Sequence, residues 1–399
     1  MMESYVADWL NLLLRWLHVI TGIAWIGSSF YFVWLDNSLV KPTAPELKEK
    51  GVDGELWAVH GGGFYNPQKY LVAPKALPEH LHWFYWESYW TWMSGFALFV
   101  VLYLFNASTF LIDGKVHAWG SPAAAVLASL VFLVMGWVVY DGICRAFGQR
   151  AHGERIVGVL VAIYVVAATW VACHLFAGRA AFLLTGAMLA TAMSANVLMV
   201  IIPGQRKTVA SMKAGRTPDP IHPLRAKQRS VHNTYFTLPV LFAMLSNHYS
   251  MTYGAPQNWL VLTVIMLAGA LIRQYFVARH KGRSDWGFFA AGAFLLIAVA
   301  AWLAPASDRD VALDRAPTPG EIRGIIEVRC QPCHNAQTFS KNIQLHTPEL
   351  IARNAPSIYQ QVVVARTMPL GNATAMTEGE RAALAAWVRA GAPMETAGH

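Results

Sequence analysis

The sequence predicts an all-α fold: a polytopic membrane bundle of eight transmembrane helices with a small helical domain at the C-terminal end. Three observations predict it. The 399 residues are 55% hydrophobic and only 14% charged, where an average soluble protein is about 25% charged. The mean hydropathy is +0.35. Eight long apolar stretches fill the first 304 residues, after which the composition turns mixed. The 16 Trp, 14 Tyr and 19 Phe suit the same class, because rings with a polar edge gather at lipid–water boundaries. Four Cys are too few for a disulfide framework.

The stretches are 9–35, 83–106, 122–142, 156–177, 180–203, 236–253, 259–277 and 287–304. Each is close to the ~20 residues a helix needs to cross ~30 Å of hydrocarbon. A helix also satisfies its own backbone hydrogen bonds, which lipid cannot do. Only Gly178 and Arg179 separate the fourth and fifth stretches, so these form a tight helical hairpin. Asn247 and His248 make the sixth the weakest of the set. The first stretch is expected to be a retained helix and not a cleaved leader. Glu3 and Asp8 stand before it in place of Lys or Arg, it is too long for a leader's apolar core, and no small-residue cleavage site follows.

The basic residues set the orientation. Loops after the first, third, fifth and seventh stretches carry 18 Lys and Arg, whereas the alternate loops carry Lys115 and Arg179. Basic loops stay in the cytoplasm, which puts both termini outside. This accounts for the net charge of +8 without nucleic acid, and no nucleic-acid-binding motif accompanies the charge. Three regions follow: a membrane domain over 1–304, a Pro-, Ala- and Asp-containing linker over 305–319, and a small domain over 320–399.

The small domain carries the strongest motif. Cys330-Gln331-Pro332-Cys333-His334 is C-x-x-C-H, the attachment sequence of a c-type haem. The two thiols reach the haem vinyl groups and the adjacent imidazole lies under the iron. A zinc site needs a second ligand pair, and none is evident. A redox dithiol needs a βαβ setting, whereas the flanks have helical periodicity. Thr377 and Glu380 have capping-box spacing ahead of a helix whose apolar face holds Leu384, Trp387 and Val388. Helix, motif, loop, second ligand and helix is the order of a class I-like cytochrome c domain. A thioether sixth ligand raises the potential, and Met368, Met376 and Met394 are the candidates. Met368 precedes Pro369 in the loop before the last helix, so it is the expected ligand, paired with His334 on the iron. Haem is joined to this motif on the outer side of the bacterial inner membrane, and the loop charges independently put the domain there.

Ionisable groups within the spans are costly and mark function by default. Arg15, His18, His174, Asn247 and His248 fall in the outer half. His80, His82, Glu87, Asp141, His232, Asn233, Tyr235, Arg273 and Gln274 fall in the inner half. His18, His174 and His248 share a depth at which they can ligate a second, non-covalent haem b, since facing helices commonly hold cofactors this way. Interhelical hydrogen bonds are the alternative for each. The aromatic run from Trp83 to Trp92 reads as an interfacial belt, and Cys144 and Cys173 as packing thiols. Gly61-Gly62-Gly63 lacks the strand and the Lys-Ser/Thr of a phosphate loop; it reads as a loop needing unusual backbone angles.

Several segments together carry a resemblance: Arg15 to Phe32 (RWLHVITGIAWIGSSFYF), Leu35 to Leu39 (LDNSL), Gly54 to Tyr65 (GELWAVHGGGFY), the Trp-rich start of the second stretch, Asn233 to Pro239 (NTYFTLP), and the fused C-x-x-C-H domain. Over nearly its full length the chain resembles the membrane-bound, cytochrome-c-linked urate oxidases (urate hydroxylases) of bacteria. The resemblance implies that urate loses two electrons and gains a water-derived hydroxyl, giving 5-hydroxyisourate. Electrons then pass through haem c to a soluble or membrane cytochrome or a terminal oxidase, and no hydrogen peroxide is made.

Urate is an anion near neutral pH. Its site should offer Arg or amide donors, an aromatic face and a proton acceptor. Glu87, His232, Asn233, Tyr235 and Arg273 supply these at the inner layer, and Arg15 at the outer. An inner site lies most of a ~30 Å core from an outer haem. Either urate binds in the outer half, or a second haem on His18 and another outer-half His stands between. Two rival readings are a quinol-oxidising subunit of a respiratory complex and a urate transporter with a regulatory cytochrome. A haem–copper oxidase core is excluded, because no His-His pair occurs.

Overall fold

The computed structural model describes residues 2–70, 74–304, 315–336, 343–364, 366–369, 372 and 374–394. Most of the described chain is helical. It divides into two units: Met1–Leu245 with Leu262–Val299, and Ser246–Val261 with Ala300–His399. Residues 305–314 of the expected linker lie outside the described residues.

The first unit is built from long helices: α1 (Met2–Ser38), α2 (Trp86–Phe99, continued by π-helical Val100–Leu104), α3 (Pro122–Phe147), α4 (Gly153–Leu175), α5 (Gly178–Lys213), α6 (Ile221–Leu245), α7 (Asn258–His280) and α8 (Trp286–Trp302). Among the described residues, Trp9–Ser38 and helices α3, α4, α5 and α7 are long and apolar enough to cross a membrane, and α8 is a shorter apolar helix. The connection from α4 to α5 is only Phe176 and Ala177, and Ala177 N–H donates to Leu111 O at 3.0 Å. Helices approach closely where side chains are small. A Cβ on Gly186 of α5 would stand 2.5 Å from Ala243 Cβ of α6, the small-residue contact that lets apolar helices pack without a water-driven force.

Two expectations are corrected here. The sixth stretch, read as 236–253, is the helix Ile221–Leu245; its chain then turns through the 3₁₀ segment Ser246–His248. The polar residues 221–235 hid its start, because their exposed half has no apolar run while their other half is buried by neighbouring helices. The fold is also not purely α. Strands β1 (Val52–Glu55), β2 (Ala58–His60), β3 (Gly63–Tyr65) and β4 (Gln68–Tyr70) form two antiparallel ribbons, β1 with β4 and β2 with β3. Gly61 and Gly62 turn β2 into β3 with φ of 57° and 82°. A two-residue hairpin of this hand needs positive φ at both central positions.

Helix α5 contains a π-helical stretch, Asn196–Ile201, immediately before Ile202-Pro203. Pro203 has no N–H, and its ring crowds the carbonyl four residues back. The preceding turn therefore widens, as π segments do, often at functional sites.

In the second unit, α9 (Pro319–Arg329), α10 (Pro348–Arg353) and α11 (Glu378–Arg389) surround a core of Ile322, Ile326, Cys330, Ile351, Leu384 and Trp387. Both α9 and α11 start with complete capping boxes, Thr318/Glu321 and Thr377/Glu380. Arg329 joins the two helices, donating through Nε to Glu380 at 3.0 Å. Ser246–Val261, the connection from α6 into α7, belongs to this unit: Ser250 Oγ donates to Arg366 O at 3.2 Å.

Candidate functional site

Helices α3, α5 and α6 bring a polar network together inside the apolar bundle. Arg229 Nη2 donates to Asp141 Oδ1 at 2.6 Å, and Arg145 Nε donates to Asp141 Oδ2 at 2.5 Å. Arg229 Nη1 also reaches Asn196 Oδ1 at 3.4 Å. Asn196 Nδ2 donates to the Tyr140 hydroxyl at 3.0 Å and to Asn233 Oδ1 at 2.8 Å. Tyr140 in turn donates to His232 Nδ1 at 2.8 Å, and Asn233 Nδ2 caps Met193 O at 3.1 Å. The π stretch that begins at Asn196 turns its amide into the middle of this set. Each buried polar group here has a partner, as a low-dielectric interior demands, so the network is closed.

This arrangement unites two of the expected catalytic residues, His232 and Asn233, with Asp141, placed by the sequence among the inner-half polar groups, and with Tyr140, Arg145, Asn196 and Arg229, which were not singled out for a site. Asn196 was legible: a lone Asn in the fifth apolar stretch is costly in lipid. Asp141 was visible as the end of its stretch. Arg229 was masked by being counted among loop cations, and Tyr140 by being one aromatic among many.

Tyr235 and Arg273 lie in a different place. The Tyr235 hydroxyl donates to Gln274 Oε1 of α7. The Arg273 guanidinium sits 3.9 Å from the Phe30 ring centroid of α1. Its Nε and Nη2 are buried and have no hydrogen-bond partner, and the same is true of His280 Nδ1. Neither Phe30 nor His280 was singled out by sequence, because nothing local ties them to Arg273. Glu87 is in the first turn of α2, where a carboxylate faces the positive end of the helix. No hydrogen bond or ion pair joins it to the other four expected catalytic residues. Arg15 donates to Asn11 of its own helix at 3.2 Å.

The three histidines expected around a second haem each have their own surroundings. His18 Nδ1 donates to Thr91 O at 3.0 Å and faces Ser94 Oγ at 3.2 Å. His174 is exposed, donates to Trp170 O of its own helix at 2.7 Å, and stacks on that ring. His248 is exposed in the 3₁₀ turn of the other unit.

In the second unit, the C-x-x-C-H residues continue α9 as a single turn. Cys330 O accepts from Cys333 N at 3.1 Å and from His334 N at 3.0 Å. His334 Nδ1 donates to Ile343 O at 3.0 Å, which fixes the ring and leaves Nε2 for ligation. Both thiols are free. Burial pushes the Cys330 thiol up to about 11, with Cys333 and Glu380 adding to the rise, so it stays protonated. Met368 packs against the core that contains Cys330 and Met376, with Met394 also at its edge. Arg381 donates to Met368 O at 3.0 Å and to Val362 O, pinning the segment that carries Met368.

A bundle of helices long and apolar enough to cross a membrane, enclosing hydrogen-bonded polar groups and followed in the chain by a small helical unit, is consistent with the class of helical membrane proteins. The particular family follows from comparison with known proteins. The urate oxidase N-terminal family matches residues 4–304, and the chain belongs to it. That membership points to an enzyme acting on urate. No curated protein and no solved structure matches the chain.

Proposed function

We propose that this chain is a membrane-bound, cytochrome-c-linked urate oxidase of the bacterial inner membrane, with eight spanning helices and a periplasmic cytochrome c domain. The reaction is urate plus water giving 5-hydroxyisourate, two electrons and two protons. The observation that carries the reading is the joining, in one chain, of a urate-oxidase family region ending at 304 and a separately folded C-x-x-C-H unit.

The donor set fits a covalent haem: two free thiols at the required spacing, an imidazole with Nδ1 tied to a carbonyl, and a thioether on a pinned segment. Cys330 and Cys333 would hold the porphyrin, and His334 and Met368 would hold its iron. When bound, haem supplies a one-electron acceptor, so each urate needs two transfers. The chain's own work is to bind and orient urate, receive its protons, and pass charge to an acceptor cytochrome or terminal oxidase.

Anaerobic mixing of the oxidised protein with urate tests this. The expected result is growth of the reduced-haem α-band, with two haems reduced per urate consumed. Reduction by ubiquinol but not by urate would replace this reading with a quinol-oxidising subunit. Urate uptake into vesicles without haem reduction would replace it with a transporter.

A further inference from the structure

We infer that Arg273 anchors a binding site for the urate monoanion on the face where α1, α6 and α7 meet, and that the Asp141–Arg229 network is not that site. The inference rests on the urate reading and assigns the place where the substrate is held.

Arg273 is only 4% exposed, yet two of its guanidinium nitrogens have no partner. No acidic side chain pairs with it among the described residues; only the face of Phe30 covers the cation. A buried cation without a counter-charge is strongly unfavourable. The same bundle shows the ordinary solution at Arg229, where Asp141 neutralises the charge. Among the described residues no anion faces Arg273, and the inference is that a ligand supplies it. The guanidinium is a planar fork suited to a flat, delocalised anion.

The neighbours suit a purine. Tyr235 donates to Gln274 Oε1, which fixes the amide and leaves its NH₂ as a donor on the residue that follows Arg273 in α7. Urate presents carbonyl oxygens alternating with ring nitrogens along its rim, and adjacent cationic and amide donors match that edge. His280 is seven residues further along α7, on the same helical stripe and about 10 Å along the axis. Its unpartnered Nδ1 provides a further polar contact. A neutral purine would leave the charge uncompensated, so the site selects anions.

The test uses the full chain in lipid nanodiscs, with its haem chemically reduced beforehand so that bound urate is not consumed. Radiolabelled urate is measured by equilibrium dialysis, with hypoxanthine as the neutral competitor. Arg273→Gln is expected to weaken urate roughly ten- to hundred-fold, the loss of charge-assisted hydrogen bonds, with hypoxanthine hardly affected. Gln274→Glu places a carboxylate beside the guanidinium. It should weaken urate at least as much while raising the melting temperature, an outcome that a purely structural Arg273 would not give. Urate bound equally well by both variants and the wild type would overturn the site and leave the urate reading standing. A wild type that binds no urate would overturn both. Dependence of the Arg273 effect on anionic lipid instead of urate would reassign the charge to a headgroup and overturn the proposal.

Discussion

Arg229 and Arg273 are buried to the same extent, each 4% exposed, within one helical bundle. One is held in a closed set of partners, and the other faces an aromatic ring with half its donors idle. The difference teaches that burial of a charge in an apolar bundle does not by itself mark a ligand site. The state of its partners does. A neutralised arginine fixes helices in register, whereas an open one waits for a ligand.

Perturbing each region in turn should break or sharpen that contrast. The largest effect on folding is expected from Arg229→Ala, which strands the Asp141 carboxylate in the bundle. Removing one member of a buried pair costs about 3–5 kcal/mol, and Arg145, which still faces Asp141, should hold the loss near the lower end. Unfolding in detergent followed by circular dichroism measures it. Asn196→Leu should come next, at about 2 kcal/mol, because Tyr140, Asn233 and Arg229 each lose a partner. A loss as small as that of a surface change would show that the network is not closed.

A third charged contact, Arg329–Glu380 in the second unit, lies partly exposed and should be worth at most about 1 kcal/mol. Burial acts to raise the Glu380 carboxyl, but the Thr377 backbone N–H, the Arg329 and Thr377 side chains and the Arg329 charge outweigh it, leaving it below the usual carboxylate range. Its contribution is therefore complete above the unfolded carboxylate value and is lost as pH falls through the folded one. The protection of α9 amides against hydrogen exchange, taken relative to the intrinsic rate at each pH, should fall with acidification in the wild type, with a flatter profile in Glu380→Gln. The smallest effect on folding is expected from Arg273→Met, which removes an unpaired cation and should leave the melting temperature unchanged or higher. A loss comparable to that of Arg229→Ala would erase the contrast.

Much of the fold was legible because its signals are local. Apolar runs of helical length mark α1, α3, α4, α5 and α7, and the Thr377–Glu380 spacing marks the start of α11. The C-x-x-C-H spacing needs only five residues. The start of α6 was not legible, since residues 221–235 are mostly polar and helical through contacts with other helices. The candidate site was legible only as a pool of polar residues at one depth. His232 and Asn233 went one way and Tyr235 and Arg273 another, and Phe30 and His280 carried no polar or positional mark that joined them to the rest.

The sequence by itself determined the class of protein, the separate C-terminal unit and its thiol–imidazole motif, because hydropathy, capping and ligand spacing act over a few turns of chain. Only the tertiary structure decided which buried arginine is neutralised. Asp141 and Arg229 meet across 88 positions, and Phe30 reaches Arg273 from the far end of the chain's first helix. Such pairings depend on which helices pack side by side, and no local pattern of residues encodes that.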